Sequence, residues 1–215
     1  MSFTTWIGFV VAAIVIALSP GSGAVLSMSH GLAYGVKKAS GTVLGLQLGL
    51  LTVLAIAGAG VGTLLLASEV AFSIVKTVGA LYLIYLGLMQ WRSRAAATEG
   101  GPRIDADHVP SLRKRVLTGF LTNATNPKGI IFMVAVLPQF IAKDAPLLPQ
   151  LAILGVTMMC IDTVVMHGYA LLASSMQRFF RNPRAVKAQN RFFGGVLMLV
   201  GGALFFVKRG GAHAA

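Results

Sequence analysis

Charged residues are scarce in this chain, and most of those present are basic. Only 11% of the 215 residues are Asp, Glu, Lys or Arg, whereas a soluble domain of this size carries roughly 25%. Hydrophobic residues make up 56% of the chain, and the mean hydropathy is +0.79. We therefore expect an all-α integral membrane protein, because the length allows about six spans of roughly 20 residues and leaves little for a soluble domain.

Cysteine and acidic residues are nearly absent. The single cysteine, Cys160, excludes an internal disulfide and any Cys-x-x-Cys redox or zinc pair, so we expect it to pack in the core. The formal net charge is +12, which in a soluble protein would indicate a nucleic-acid partner. Because the basic residues lie at the edges of apolar runs, we interpret them as orientation signals and expect no nucleic-acid binding.

Six apolar runs, bounded by charge, proline or polar clusters, predict six transmembrane helices. The first run has no basic residues ahead of it, which makes it a first span rather than a cleaved secretory signal. The last run has only 16 residues and needs flanking residues to cross the bilayer. The predicted spans are residues 3–28, 39–67, 70–89, 116–141, 147–173 and 192–207.

The distribution of Lys and Arg between these spans predicts an orientation. The first, third and fifth connections hold two, six and five basic residues, whereas the opposite side holds three. By the positive-inside rule, the three basic connections lie in the cytoplasm. Both termini are then predicted outside, in a multi-pass protein of the bacterial inner membrane.

A polar linker divides the chain into two predicted halves. Residues 92–115 are punctuated by Gly and Pro and show no apolar periodicity, so they are interpreted as a cytoplasmic linker. His108 lies there beside Asp105 and Asp107, and a solvated loop is favoured over a metal site. The halves, residues 1–91 and 116–215, each contain three spans, and an odd number predicts inverted topology.

Two spans contain sequences that interrupt a helix. The first span contains SPGSG at residues 19–23, and the fourth, which opens the second half, contains NATNPKG at residues 123–129. Irregular backbone at membrane depth is tolerated only when it is buried in protein or faces a water-filled cavity. A pair of breaks in the leading helices of two halves is typical of a transporter's central site, although two packing kinks are the alternative. The candidate pathway residues at the breaks are Pro20, Gly21, Ser22, Asn123, Asn126 and Pro127.

Two opposite charges are predicted at similar depth in the membrane. Lys128 lies about 12 residues into the fourth span and Asp162 about 15 residues into the fifth. A charged side chain is costly in lipid unless it reaches water or a partner, so both residues are expected to line a cavity. In that cavity, Asp162 is expected to take up a proton or a substrate ammonium, and Lys128 to attract a carboxylate. A permanent structural ion pair is the alternative. His167 is a candidate proton relay or, equally, a hydrogen bond between helices.

The second span carries a ridge of small residues. Gly41, Gly45 and Gly49 recur every four residues, which permits close approach of another helix, within the chain or in a homodimer. Gln47 lies on a different face of the same helix. It is expected either to line the cavity or to form an interhelical hydrogen bond.

These motifs resemble the LysE/RhtB family of amino-acid exporters. The similarity rests on Pro20-Gly21, a glycine-rich turn at residues 30–38, the ridged second span, and NPK at 126–128 followed by LPQF at 137–140. The resemblance implies export of amino acids or close derivatives, such as homoserine, its lactone, threonine, leucine or basic amino acids, driven by the proton-motive force. The family usually has Pro-Gly-Pro-Asn/Asp at the first motif, so Gly23 lacks the polar side chain found there.

Two other functional classes are weighed against this one. A divalent metal-ion exporter of related architecture needs several converging ligands, whereas only Cys160, Asp162 and His167 cluster, and Lys128 would repel a cation. An intramembrane serine protease is suggested superficially by Ser22 and His167, but the expected motif context is absent. We expect neither an enzyme nor a cofactor; the predicted partners are an amino acid, protons and lipid.

Overall fold

The computed structural model describes residues 1–66, 69–92, 109–142, 144–175 and 183–206. Most of the predicted linker, including His108, lies outside these ranges. Within them the chain forms eight α-helices and one short 3-10 helix, and no strand. The α-helices are α1 (Phe3–Leu18), α2 (Ser22–Tyr34), α3 (Val36–Leu66), α4 (Glu69–Arg92), α5 (Leu112–Ala124), α6 (Pro127–Ala135), α7 (Leu147–Ser175) and α8 (Pro183–Phe206), with the 3-10 helix at Leu137–Phe140.

Two of the predicted spans are each built from two helices that meet at a bend. Helices α1 and α2 are bent by 55°, and α5 is bent by 51° relative to Pro127–Phe140. Pro20 has no N–H with which to extend α1. At the second bend, the Asn126 side chain accepts a 3.1 Å hydrogen bond from the backbone N–H of Lys128 and so caps α6. Both breaks lie where the sequence predicts them.

The long helices α3 and α7 are apolar enough to cross a membrane. Their apolar stretches are Val36–Gly60, with 25 residues, and Leu147–Ser175, with 29 residues. With each bent pair counted as one span, the described residues contain up to four membrane-capable units, whereas α4 and α8 contain shorter apolar stretches, Thr77–Met89 and Gly194–Ala203. An all-helical, membrane-capable chain is confirmed, and six spans in inverted halves stay a prediction.

Several helix boundaries differ from those expected: α3 begins at Val36, α5 begins at Leu112 inside the predicted linker, and two further differences have a local cause. The segment 30–38, expected to be a turn, is helical except at Gly35, whose φ of +77° suits a residue without a side chain. Gly35 is therefore the single residue that separates α2 from α3. At the other end of the chain, α8 begins at Pro183, well before residue 192, because proline fits the first turn of a helix.

The glycine ridge of α3 packs against α5. A methyl group at Gly45 would overlap the backbone carbonyl of Val116, and one at Gly49 would lie 2.6 Å from the Phe120 carbonyl oxygen. The predicted close approach is therefore confirmed, and its partner belongs to the same chain. Together these contacts place α3 between the second break and α7, with Gln47 turned toward α7.

The expectation for Cys160 is wrong, because its side chain is exposed rather than packed in the core. Cys160 and Asp162 are two positions apart on α7, which is a rotation of about 200° around the helix. Since Asp162 is buried, Cys160 faces outward.

Candidate functional site

A small cavity lies where the two breaks come together. Its volume is about 50 Å³, enough for a few water molecules. Its walls come from both bent pairs and from α3 and α7. The polar or break-derived residues that line it are Ser19, Gly21, Gly23, Asn123, Asn126, Lys128, Gly129 and Asp162.

Lys128 extends from the second break to the first. Its Nζ atom donates to the backbone oxygen of Ile16 at 3.1 Å and to that of Ser19 at 2.5 Å. A Cβ atom at Gly21 would lie only 3.0 Å from this Nζ, so the absence of a side chain at Gly21 leaves room for the lysine. The charged end of Lys128 is thus held at the carboxyl end of α1.

Asp162 is held from the opposite side by Gln47. The carboxylate is 7% exposed, and its Oδ2 atom accepts a 2.8 Å hydrogen bond from Gln47 Nε2. Gln47 is buried as well, and its Oε1 atom has no hydrogen-bond partner in the part of the chain that the structure describes. The hydrogen bond joins α3 to α7, which is one of the two roles expected for Gln47.

Lys128 and Asp162 both line the cavity, yet these two described side chains form no direct ion pair. The ammonium instead contacts the carbonyls of Ile16 and Ser19, and the carboxylate contacts Gln47. The permanent ion pair, which is the alternative to two separate charges lining the cavity, is therefore not formed between these side chains, because the end of α1 offers carbonyl oxygens that lack helical donors. Two opposite charges remain in the walls of one cavity, each with a different protein partner.

The other break residues hold backbone or lie beside the cavity. Asn123 lines it and donates from Nδ2 to the Leu46 oxygen at 2.7 Å, which attaches α5 to α3. Pro20 and Pro127 set the ends of helices and are outside its lining. Ser22 lies at the first break as the first residue of α2, where it is exposed and outside the cavity lining, and its place on the pathway stays a prediction.

His167 also lies outside the cavity lining. Its Nδ1 atom is 2.8 Å from the Thr163 oxygen, and its Nε2 atom is 3.0 Å from Ser40 Oγ. The second contact joins α7 to α3, which corresponds to the structural alternative considered for this residue. Because these partners engage both ring nitrogens, His167 does not form a nucleophile and base pair with Ser22.

Sequence reasoning missed the apolar part of the wall and one further polar contact. Met133, Met158 and Met166 line the cavity together with Phe132. Tyr169 donates from its hydroxyl to the Leu18 oxygen at 2.7 Å, again at the end of α1. Neither feature carries a sequence motif. The one sequence signal is the i, i+4 spacing of Met158, Asp162 and Met166, which places these three residues on one face of α7.

The metal-export alternative finds no support in the described part of the chain. No group of three or more His, Cys, Asp and Glu side chains there could hold a metal ion. Within the expected cluster, Cys160 faces outward and His167 contacts Ser40. Asp162 is therefore not joined by these two residues in a ligand set.

The chain matches the family model described as LysE type translocator over residues 14–208. It is 40% identical to the homoserine/homoserine lactone efflux protein of Salmonella typhi, over 95% of this chain and 97% of that protein. It is 39% identical to a membrane protein of Vibrio cholerae, over 97% of this chain and 100% of that protein. A leucine efflux protein of Klebsiella pneumoniae is 31% identical, over 91% of each chain. No solved structure matches this chain.

Proposed function

The chain belongs to the LysE-type translocator family, and on that premise we propose that it exports amino acids or close derivatives from the cytoplasm. The observation that carries the proposal is the cavity between the two breaks, with Lys128 in one wall and Asp162 in another. An amino acid brings a carboxylate and an ammonium. One amino acid can therefore pair with both Lys128 and Asp162, whereas a simple cation or a simple anion can pair with only one of them.

The names of the relatives support this class of substrate. Two relatives, each about 40% identical, are named for the efflux of homoserine and homoserine lactone, and a third for leucine. All three names describe movement of a small α-amino compound out of the cell. Because each of these relatives is covered nearly end to end, the similarity includes the segments that form both breaks.

The rest of the cavity wall favours neutral amino acids. Lys128 and Asp162 are the charged residues of the lining, and the other side chains are mainly aliphatic, aromatic or Met. A cationic side chain would find no second carboxylate among these residues. Methionine adapts its shape to different apolar groups, so a range of aliphatic side chains can be accepted. The apolar lining includes Leu46, Leu50, Val53, Phe132, Met133, Met158 and Met166.

We propose that the bends move during transport. The cavity, at about 50 Å³, holds only a few waters, so its walls must separate to admit an amino acid. Helix breaks are places where a change in φ and ψ redirects a whole segment. The bends of 55° and 51° are therefore the proposed hinges.

Proton antiport would follow from competition at Asp162. The carboxylate can be occupied by a proton or by a substrate ammonium, and occupation by one disfavours the other. If release of substrate outside is followed by protonation of Asp162, the return step carries a proton inward. Gln47 stabilises the charged form by donating to Oδ2.

We also propose six spans in two inverted halves, residues 1–91 and 116–215, joined by the linker 92–115. Each half begins with a bent pair and continues with a long apolar helix, α3 or α7. Helices α4 and α8 would supply the third and sixth spans. The basic connections favour an inner-membrane orientation with both termini outside.

The direct experiment is efflux from cells loaded with dipeptides that cover the common amino acids. Hydrolysis of the peptides raises each internal amino acid, and the external concentration reports export. We expect Lys128→Ala and Asp162→Asn to abolish the efflux that the wild type shows, at equal amounts of membrane protein. Lys114→Ala, at an exposed lysine on α5, is the matched control and should export normally. Normal efflux by either cavity variant would refute the site.

A further inference from the structure

Lys128 occupies the place of a missing backbone donor. In an α-helix the carbonyl of residue i accepts from the N–H of residue i+4. For Ile16 that residue is Pro20, which has no N–H. The Lys128 ammonium lies 3.1 Å from this carbonyl oxygen and 2.5 Å from that of Ser19. It therefore caps the end of α1 where proline has removed the helical donor.

The neighbouring residues maintain this arrangement. Asn126 caps α6 and fixes the backbone of Lys128, while Gly21 leaves the space through which the lysine side chain passes. Tyr169 donates to the carbonyl of Leu18, which lies between Ile16 and Ser19 in the sequence. The carboxyl end of a helix carries partial negative charge, which favours a cation there. Three carbonyls at the end of α1 thus receive donors from α6 and α7.

We propose that Lys128 is a switch. The substrate carboxylate draws the Lys128 ammonium away from the Ile16 and Ser19 carbonyls, and the loss of this contact frees the bend between α1 and α2. The inference rests on the proposed export of amino acids and adds how binding is linked to movement. A carboxylate carries a full charge, so it is a stronger acceptor for an ammonium than a peptide carbonyl. Once uncapped, the Ile16 carbonyl, whose helical donor Pro20 has removed, cannot stay unpaired in apolar surroundings, so the end of α1 must rearrange or admit water.

The switch makes a prediction about ligand chemistry. A ligand with an ammonium and no carboxylate can contact Asp162 and still leave Lys128 on α1. Such a ligand should bind without opening the first bend through Lys128, so the switch applies to substrates with a free carboxylate and not to a lactone. An amino acid and its amide are therefore matched probes, because they differ only in the group that the switch senses.

Accessibility of Ser19 reports the state of the cap. Ser19 is 1% exposed, so a cysteine in its place should react slowly with a maleimide. We would use the purified full-length Ser19→Cys protein, with Cys160→Ala to remove the exposed native thiol. Ala13→Cys, at a fully buried position of α1 away from the break, is the control. L-homoserine or L-leucine should raise labelling of Ser19→Cys by about tenfold, the effect of losing one charged hydrogen bond, whereas L-leucinamide should not.

Variants test the cap without any ligand. Lys128→Met should label rapidly at Ser19→Cys, because the Ile16 carbonyl loses its donor. Adding Pro20→Ala restores a backbone N–H for that carbonyl, so Pro20→Ala/Lys128→Met should return to slow labelling. If Lys128→Met does not fold, Pro20→Ala alone is tested with ligand: its backbone N–H keeps the Ile16 carbonyl paired after the ammonium leaves, so L-leucine should no longer raise labelling of Ser19→Cys, and an undiminished rise would overturn the cap. Rapid labelling of the double variant would overturn the capping role.

The outcomes separate this inference from the export proposal. The switch is overturned if L-leucinamide raises labelling as much as L-leucine, or if neither amino acid raises it. In either case, efflux of any amino acid from dipeptide-loaded cells would still support the export proposal. If no amino acid is exported, the export proposal fails, and the carboxylate switch fails with it. Slow labelling of Lys128→Met without ligand overturns the cap whatever the efflux result.

Discussion

The amide nitrogen of Gln47 lies 2.8 Å from Asp162 Oδ2, and this hydrogen bond joins α3 to α7 beside the cavity. Both side chains are buried, at 5% and 7% exposure. A buried carboxylate is strongly destabilised unless it receives donors. The hydrogen bond from Gln47 therefore offsets part of the cost of a charged carboxylate at Asp162, in a wall that is otherwise mostly apolar.

Replacing Gln47 by Leu should weaken both stability and export. A hydrogen bond to a charged group contributes about 1.5–3 kcal/mol, and its loss leaves Asp162 without this donor. We expect a lower Tm in detergent and a fall in efflux of at least about tenfold. Thr52→Val is the control, since the Thr52 hydroxyl is exposed and bonds only within its own helix, to the Leu48 oxygen. A Gln47→Leu protein with wild-type Tm and efflux would contradict this role.

Replacing His167 by Asn should preserve export. His167 connects α7 to Ser40 of α3 and lies outside the cavity lining. We expect a loss of about 1 kcal/mol in stability, and a similar loss for Ser40→Ala. Because the two substitutions remove the same hydrogen bond, the double variant should be little less stable than either single one. Loss of export in His167→Asn, with normal expression, would instead favour a proton relay.

A methyl group at Gly45 should separate α3 from α5. It would overlap the Val116 carbonyl, a backbone atom that cannot rotate away. We expect Gly45→Ala to lower stability by about 1–3 kcal/mol, as overpacking does. Gly168→Ala is the matched control, because a methyl group there meets no atom within 4 Å. Thermal unfolding in detergent measures both; equal Tm values for the two variants would contradict the packing.

The methionines of the wall should control the size of the exported side chain. Met158→Ala and Met166→Ala remove bulk from the cavity, so efflux of larger neutral amino acids such as phenylalanine should rise relative to smaller ones. Met159→Ala is the control, because Met159 follows Met158 on α7 and does not line the cavity. Dipeptide-loaded cells give the ratio directly. An unchanged ratio in both wall variants would exclude this part of the cavity from substrate contact.

The breaks could be predicted from the sequence because their cause is local. Pro20 removes a donor from α1, and Asn126 followed by Pro127 is the usual chemistry of a helix start. Counting residues along apolar runs predicts similar depths for Lys128 and Asp162, and the structure places both in the lining of one cavity. These local rules predicted where the helices bend and which charges lie near the bends.

The direction in which individual side chains point could not be predicted in the same way. Apolar residues surround membrane helices on all sides, so periodicity does not separate the protein-facing side from the lipid-facing side. The sequence therefore predicts Cys160 in the core, whereas its side chain is exposed, and the sequence does not reveal that Ser22 is exposed at the start of α2. The partner of Lys128 depends on carbonyls of α1 that lie over 100 residues away in sequence, and no local pattern reveals that contact.

The measurement that tests the central claim most directly is ligand binding to the purified protein by isothermal titration calorimetry. The ligands are the amino acid that the efflux screen identifies, its amide and its deaminated acid. The wild type should bind the amino acid more tightly than either analogue. Asp162→Asn should bind the amino acid no more tightly than the wild type binds the deaminated acid, because the contact to the ammonium is lost in both cases. If Asp162→Asn binds the amino acid as tightly as the wild type, the cavity between the two breaks is not the substrate site.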